Sequence, residues 1–301
     1  MKIVLARNGI FPITRDRKGN LLSEPPATGF DIPGTIQGEG KLAGIPVLFI
    51  RTCGCNLNCV WETGTGEISP CDTSYASHYP DEQEEWETDD IINVLRHNKG
   101  PIKHVIISGG EPTIQPFPLC ELAMKIKTSL GLHITLETNS TDFIPRLTEW
   151  IDFFSISPKL SSSEPDSKKN LKLQRRISEV DMSYHKKNRR NITAIQHYIN
   201  ACMDYKSPDR DKPVQQPVKK ATKDFQLKFV ISSPSDTEEI KNDFLNHLNY
   251  VSDEDIVLMP AGGTRELLRN TAEMTTRLAI LNGWRYSPRL HIDLFNDRRD
   301  V

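Results

Sequence analysis

No apolar run in the 301 residues approaches the roughly 18 that a membrane helix needs, so no membrane span is expected. The first residues, MKIVLARNGIFPITRDRKGN, hold neither a long apolar core nor a small-residue cleavage site. An export signal is therefore not expected, and the chain is expected in the cytoplasm. Charge of one sign is also missing: the net value is −2, which gives no global reason to bind nucleic acid or membrane. Internal repeats are absent. Six cysteines are too few for a disulfide scaffold at this length. In a reducing compartment, cysteines that cluster point to metal or redox chemistry instead.

Short apolar runs alternate with helical patterns. Segments 47–52, 104–108, 133–137, 153–157, 226–232 and 255–260 read as strands, mostly apolar on both faces, as buried parallel strands are. Segment 88–98 reads as a helix with acidic residues in its first turn. Ser235 and Glu238 form a candidate capping box for a helix over 236–249. Leu267, Thr271, Met274, Leu278 and Leu281 share one helical face. The alternation predicts an α/β fold with a parallel sheet, either open or closed into a barrel, and a site at the carboxyl ends of its strands. Residues 161–224 break the rhythm. They are polar and basic, hold one expected helix near 192–203, and read as an insertion that extends the surface and is partly mobile, with a lid or a contact for a partner as the alternative.

Four cysteines crowd into RTCGCNLNCVWETGTGEISPCDT, residues 51–73. Their spacings are C-x-C, C-x3-C and C-x11-C. A structural zinc site prefers two close C-x2-C pairs, and a thioredoxin-like redox site needs one such pair. Neither is here, although a distorted zinc site with all four thiolates remains open. The other reading is an iron–sulfur cluster held by thiolates. Cys120 and Cys202 lie in helical patterns and read as core residues, and Cys53 reads as a small residue at a strand end.

GCNLNCVW followed later by CDT resembles the segment GCNLxCxWCDT of the 7-carboxy-7-deazaguanine synthases, with ETGTGEISP inserted between Trp61 and Cys71. TIQGEGKLAGIPVLFIR, ISGGEPTIQ, LETNST, SISPKLS, QLKFVIS, VLMPAGG and GWRYSPRLHIDLF resemble further elements of that family, in its order. These are radical S-adenosylmethionine (radical SAM) enzymes. The resemblance implies one radical SAM domain over residues 1–301, a modified, incomplete (β/α)6 barrel with parallel strands, a cluster loop at 53–73 and a large insertion at about 162–222. It implies Cys55, Cys59 and Cys71 as ligands of a 4Fe-4S cluster whose fourth iron is open to S-adenosylmethionine, and Thr73 as a ligand of Mg2+. Gly109, Gly110, Glu111, Ser157 and Lys159 would hold S-adenosylmethionine, with Glu111 either a charged acceptor or a brace for the glycine turn. Gln37, Glu39, Arg51, Ser108 and His291, the last in a strand, would hold the substrate. These residue types suit that role, since amide and carboxylate side chains can read a pterin edge and a guanidinium fork matches a carboxylate.

The implied reaction contracts the ring of 6-carboxy-5,6,7,8-tetrahydropterin to 7-carboxy-7-deazaguanine with loss of ammonia, in queuosine-type 7-deazapurine biosynthesis. A radical derived from S-adenosylmethionine starts it. No catalytic side chain beyond that radical is implied. Implied partners are the pterin, an electron donor such as flavodoxin or ferredoxin, and a second copy in a homodimer; direct nucleic-acid binding is not expected. Rival readings are a radical SAM activase that acts on another protein, a zinc protein that binds RNA through the basic residues near 186–190, and a related enzyme with a shifted substrate.

Overall fold

The computed structural model describes residues 1–64, 66–79, 82–204 and 217–301. β1 (Lys2–Phe11) and the short β2 (Thr35–Ile36) precede β3 (Pro46–Thr52). The cysteine segment then forms β4 (Val60–Glu62), β5 (Ile68–Pro70) and α1 (Ser74–His78), and β6 (Gln83–Glu87) follows. Strand and helix next alternate through α2 (Thr88–Asn98), β7 (His104–Gly109), α3 (Pro116–Leu130), β8 (His133–Thr138) and β9 (Phe153–Ile156). Three helices come after β9: α4 (Ser167–Leu171), α5 (Glu179–Asn188) and α6 (Ile192–Ala201). The two-residue pair β10 (Met203–Asp204) and β11 (Val218–Lys219) leads into β12 (Asp224–Ile231), α7 (Asp236–Glu239), β13 (Ile256–Pro260), α8 (Arg265–Asn282), β14 (Arg285–Tyr286) and α9 (Leu290–Phe295).

The main sheet runs β14-β13-β12-β9-β8-β7-β3-β1-β6. From β3 to β14 every pairing is parallel. β1 pairs antiparallel with both β3 and β6 at the far side. This is the incomplete barrel expected: the path has two ends and does not close on itself. Among the described residues no helix is long and apolar enough to cross a membrane.

The parallel strands are not apolar on both faces. In β12, Phe225, Leu227, Phe229 and Ile231 are fully buried in the core with Leu48, Ile50, Ile107, Leu136 and Phe154, covered by α2, α3 and α6. The alternate residues Gln226, Lys228 and Val230 face the other way, because successive side chains of a strand point to opposite faces. Arg51 in β3, Ser108 in β7 and Glu137 in β8 share that inner face with Lys228 and line one cavity. Since the strands are parallel, their carboxyl ends lie along one edge: Arg51 is level with Ser108, Thr52 with Gly109, and Thr138 with Ile156.

Several local expectations need correction. β1 was not anticipated, because Arg7, Asn8 and Gly9 interrupt its apolar pattern; the ladder is irregular there, and Asn8 adopts a positive φ of 56°. Ser235 makes no side-chain cap bond, and Asp236 instead accepts from the backbone N–H groups of Ser232 and Ser233 at 2.8 and 3.0 Å. The predicted 236–249 helix passes from α7 into a π-turn over Ile240–Phe244 and a 3-10 turn over Leu245–His247. In α8 the buried residues are Leu268, Thr271, Thr275 and Ala279; of the expected face, Thr271 is buried and Met274 and Leu278 pack half-buried on the core, while Leu281 is 69% exposed. The 161–224 stretch holds three helices rather than one. It packs on the cysteine loop rather than only extending the surface, and its residues 205–216 lie outside the described residues.

Candidate active site

β3 delivers the chain into the cysteine loop at Thr52. The described residues of the insert do not form a slack loop. β4 and β5 pair antiparallel, with Val60 opposite Pro70, Trp61 opposite Ser69 and Glu62 opposite Ile68. Beyond this ladder Thr63 N–H donates to Glu67 O at 2.8 Å and Gly66 N–H to Thr63 O at 2.8 Å. The next rung joins the cysteines themselves: Cys71 N–H donates to Cys59 O at 3.2 Å. The long C-x11-C gap is therefore taken up inside a hairpin whose two feet are Cys59 and Cys71. Leu57, Cys59, Trp61 and Ala261 form a small buried apolar cluster against which Cys55 and Cys71 pack.

Backbone contacts hold this loop from two sides. On one side the Gly109–Gly110 turn lies against it. A Cβ on Gly109 would meet Thr52 O at 2.3 Å and one on Gly110 would meet Gly54 O at 2.1 Å, so only glycine admits the approach. Gly110 N–H donates to Thr52 O at 3.2 Å and Glu111 N–H to Gly54 O at 2.8 Å. On the other side is the insertion. His185 of α5 is fully buried and accepts from Asn58 N–H at Nδ1, 3.1 Å, while Nε2 lies 3.2 Å from Ser163 Oγ. Burial first, and the Arg189 charge second, push its pKa down to about 3, so it stays neutral and can accept. Lys169 Nζ donates to Val60 O at 3.0 Å, and Arg175 to Asn58 Oδ1 at 2.6 Å. We expect Gly110→Ala to destabilise the fold by about 3 kcal/mol, since two backbones must part. Urea denaturation of the protein without iron measures this, and an unchanged midpoint would count against the turn as a brace.

Cys55, Cys59, Cys71, Thr73, Gly109, Gly110, Glu111, Ser157, Lys159, Gln37, Glu39, Arg51, Ser108 and His291 all line one cavity of about 1290 Å³, its open mouth included. Cys53 is not among the lining residues. Cys202 is buried in the core, and Cys120 is half-buried against it. Of the two roles open to Glu111, the structure favours the brace: fully buried, it accepts from Thr113 N–H (3.1 Å), Thr113 Oγ1 (2.7 Å), Thr138 Oγ1 (2.7 Å) and Asn139 N–H (2.6 Å). His291 sits in α9, not in a strand. Lys159 folds back to donate to Ser157 O and Oγ at 2.9 and 2.8 Å.

Sequence reasoning missed the charged frame that connects these groups. Lys228 donates to Glu39 Oε2 and lies 3.7 Å from Glu137 Oε1. Arg289 donates from Nε to Glu39 Oε1 at 3.0 Å, from Nη1 to Gly262 O and from Nη2 to Asp72. Glu137 also accepts from Ser108 Oγ at 2.7 Å and Gln37 Nε2 at 3.3 Å. Burial alone would raise the pKa of Glu39, but the Lys228 and Arg289 cations outweigh it and hold the carboxyl well below its usual range. Burial likewise opposes charge on Lys228 and Arg289, and the adjacent carboxylates hold both pKa values up. His291 is pushed down by burial, which favours a neutral imidazole. Arg51 stacks over Phe11 (5.1 Å) and Tyr75 (5.9 Å), and its Nε is buried with no hydrogen-bond partner among the described residues. Lys228 had a signal in the sequence: it shares the period-2 face of Gln226, a polar stripe in an otherwise apolar strand.

The donor set fits an iron–sulfur cluster. Burial pushes the Cys55 thiol up to about 12 and raises Cys59 and Cys71 too, so none is a free thiolate nucleophile at neutral pH. A bound cation removes that obstacle, because a coordinating thiol is deprotonated outright. Among the described residues no three Cys, His, Asp or Glu side chains converge as ligands of one ion. A cubane takes its thiolates one per iron, on separate irons.

Residues 49–194 match the model of the radical SAM superfamily. A 7-carboxy-7-deazaguanine synthase of Halobacterium salinarum is 33% identical over 94% of this chain and 96% of its own length. One of Rhodopirellula baltica is 31% identical over 87% of this chain and 84% of its own. The crystal structure of QueE from Escherichia coli shares the fold, with a TM-score of 0.53 at 19% identity over 95% of this chain and 93% of that one. With near-complete coverage at this identity, the chain belongs to the family of the 7-carboxy-7-deazaguanine synthases, enzymes of the radical SAM superfamily.

Proposed function

We propose that this enzyme converts 6-carboxy-5,6,7,8-tetrahydropterin into 7-carboxy-7-deazaguanine with loss of ammonia, within 7-deazapurine biosynthesis, and that its 301 residues act as one catalytic unit. The observation that carries the reading is a single cavity lined both by three cysteines, Cys59 buried and Cys55 and Cys71 half-buried, and by a preorganised set of ring-reading side chains. When bound, a 4Fe-4S cluster and S-adenosylmethionine supply the carbon radical that begins the reaction.

The chain's own groups bind and orient. Cys55, Cys59 and Cys71 would hold the cluster, and the Gly109–Gly110 turn with Ser157 and Lys159 would hold S-adenosylmethionine. Arg51 offers an unspent donor, clamped between two rings, to the substrate carboxylate. Gln37 and Glu39 are fixed before substrate arrives: Gln37 Oε1 accepts from Glu39 N–H at 3.2 Å, and both side chains are tied into the Glu137–Lys228–Arg289 frame. Such fixation lowers the ordering cost of binding. Neutral His291 adds a donor or acceptor beside Glu39, 3.8 Å from its Oε1. Thr73 Oγ1, near Cys71 Sγ (3.3 Å) and Gly109 O (3.5 Å), would give Mg2+ one protein oxygen, with substrate and water completing its shell. Leu57, Trp61, Val230 and Met259 complete the lining and restrict water.

The test is an anaerobic assay of iron- and sulfide-loaded protein with the pterin, S-adenosylmethionine, Mg2+ and dithionite, read by mass spectrometry. The deazaguanine acid is expected to form with S-adenosylmethionine regenerated rather than consumed. Consumption of S-adenosylmethionine without that product would move the reading to another radical SAM reaction.

A further inference from the structure

The chain is nearly neutral overall, yet residues 167–190 hold nine Lys or Arg against two Asp or Glu. Structure divides these cations into two groups. Lys169 and Arg175 turn inward onto Val60 O and Asn58 Oδ1. Arg189 pairs with Glu164 and Glu239, and Arg190 with Asp243. Lys168, Lys172, Arg176, Lys186 and Lys187 are exposed and form no ion pair among the described residues. Apolar side chains stand among them: Leu171 is 72% exposed, Val180 77% and Tyr184 47%. Val180, Tyr184 and Lys187 fall at i, i+4 and i+7, one outward stripe of α5. Its opposite side carries His185, which grips the backbone beside Cys59. One short segment thus touches the cysteine hairpin within and presents a basic, partly apolar face without.

We propose that this outer face of α4 and α5 is the docking surface for a small acidic protein that carries one electron, and that it brings the carrier up to the cysteine hairpin. The inference rests on the cluster reading above. The electron balance is simple: the reduced carrier loses one electron, and the resting cluster gains it. Three features suit such a partner. Like-signed charge steers an oppositely charged protein and raises its association rate. A few exposed apolar groups with a polar rim give the small, transient contact typical of electron-transfer encounters. The hairpin that carries two of the candidate ligands lies directly beneath.

The experiment uses the full chain, loaded with iron and sulfide, and a purified flavodoxin as the acidic carrier. Lys168→Glu, Lys186→Glu and Lys187→Glu are combined, and a control of equal net charge combines Lys18→Glu, Arg269→Glu and Arg277→Glu. The patch variant is expected to bind the carrier roughly tenfold more weakly at low salt, with slower electron transfer in stopped flow, while the control keeps most of its affinity. The gap should narrow as salt shortens the screening length from about 30 Å at 0.01 M to about 10 Å at 0.1 M. Turnover driven by dithionite, which needs no docking, should equal that of the unmodified enzyme. Equal carrier affinity for patch variant and parent overturns the proposal, as does an equal loss in the control. So does a patch that binds single-stranded RNA while the carrier ignores it. If the parent makes no deazaguanine acid with dithionite, the proposed function fails, and the binding comparison still judges the surface.

Discussion

Alanine at Cys55, Cys59 or Cys71 is expected to abolish the four-iron cluster and to drop pterin turnover to the background of iron-free protein, while Cys53→Ala keeps both. The geometry makes the contrast sharp. Cys55, Cys59 and Cys71 face the cavity. Cys53 directly follows β3, its N–H bonded to Val4 O at 3.0 Å and its carbonyl accepting from Gln115 Nε2 at 3.1 Å. It is 7% exposed and packs in the wall. A cubane with three protein ligands has no spare thiolate, so losing one leaves an iron without its anchor. The hairpin is held by Asn58, Val60 and the glycine turn, so each alanine variant should still fold, and a cluster loss would not be a folding loss. Iron and sulfide per chain, and the broad visible absorbance after anaerobic loading, are the measurements. A Cys53→Ala protein without iron, or a Cys71→Ala protein with a full complement, would move the ligand set to other thiols.

The sequence exposed the parallel frame because its information is local: each of the six apolar runs signals its own strand. The candidate site was legible where side chains lie in short motifs, as in QGEG, CDT and GGEP. The charged frame was not, since its partners lie far apart in the chain. Lys228 is 189 residues from Glu39, and Arg289 is 250 residues from it. No local pattern pairs them, although the alternation in β12 does assign Lys228 to the inner face. The insertion misled for another reason. Its polar composition suggests solvent, but its buried groups bond to backbone: His185 to Asn58 N–H and Lys169 to Val60 O. Polarity satisfied by main chain looks, in one dimension, like polarity satisfied by water. In α8 the expected face holds at Thr271, Met274 and Leu278 and fails at Leu281; Thr271 faces inward by donating to Ala261 O at 2.7 Å, and Thr275, which polarity hid, joins it by donating to Thr271 O at 2.8 Å.

Arg289→Met is expected to cost about 3 kcal/mol of stability, the lower end of the range for breaking a buried ion pair from one side. Lys228 remains on Glu39, which keeps the loss from being larger. Asp72 is left out of that figure: its side chain is 37% exposed, so water screens it once the guanidinium is gone. The pH dependence follows from the direction of the Glu39 shift. In the parent, its depressed pKa gives stability that is present above the ordinary carboxylate value and is lost as pH falls through the folded value. With one cation removed, burial dominates and the folded pKa rises, so protonation relieves the stranded charge earlier. The melting gap between parent and variant should therefore narrow from pH 7 to pH 5. Adding Glu39→Gln should restore part of the loss, giving a double variant less unstable than the two single losses summed. Arg289→Lys should fall between, because a point charge cannot serve Glu39, Asp72 and Gly262 O at once. Turnover should suffer more than stability suggests, by about 100-fold, since Glu39 and the Asp72–Thr73 corner both lose their shared reference point. A gap independent of pH, with no rescue by Glu39→Gln, would mean that Arg289 acts through packing alone and that the charged frame does not set the position of Glu39.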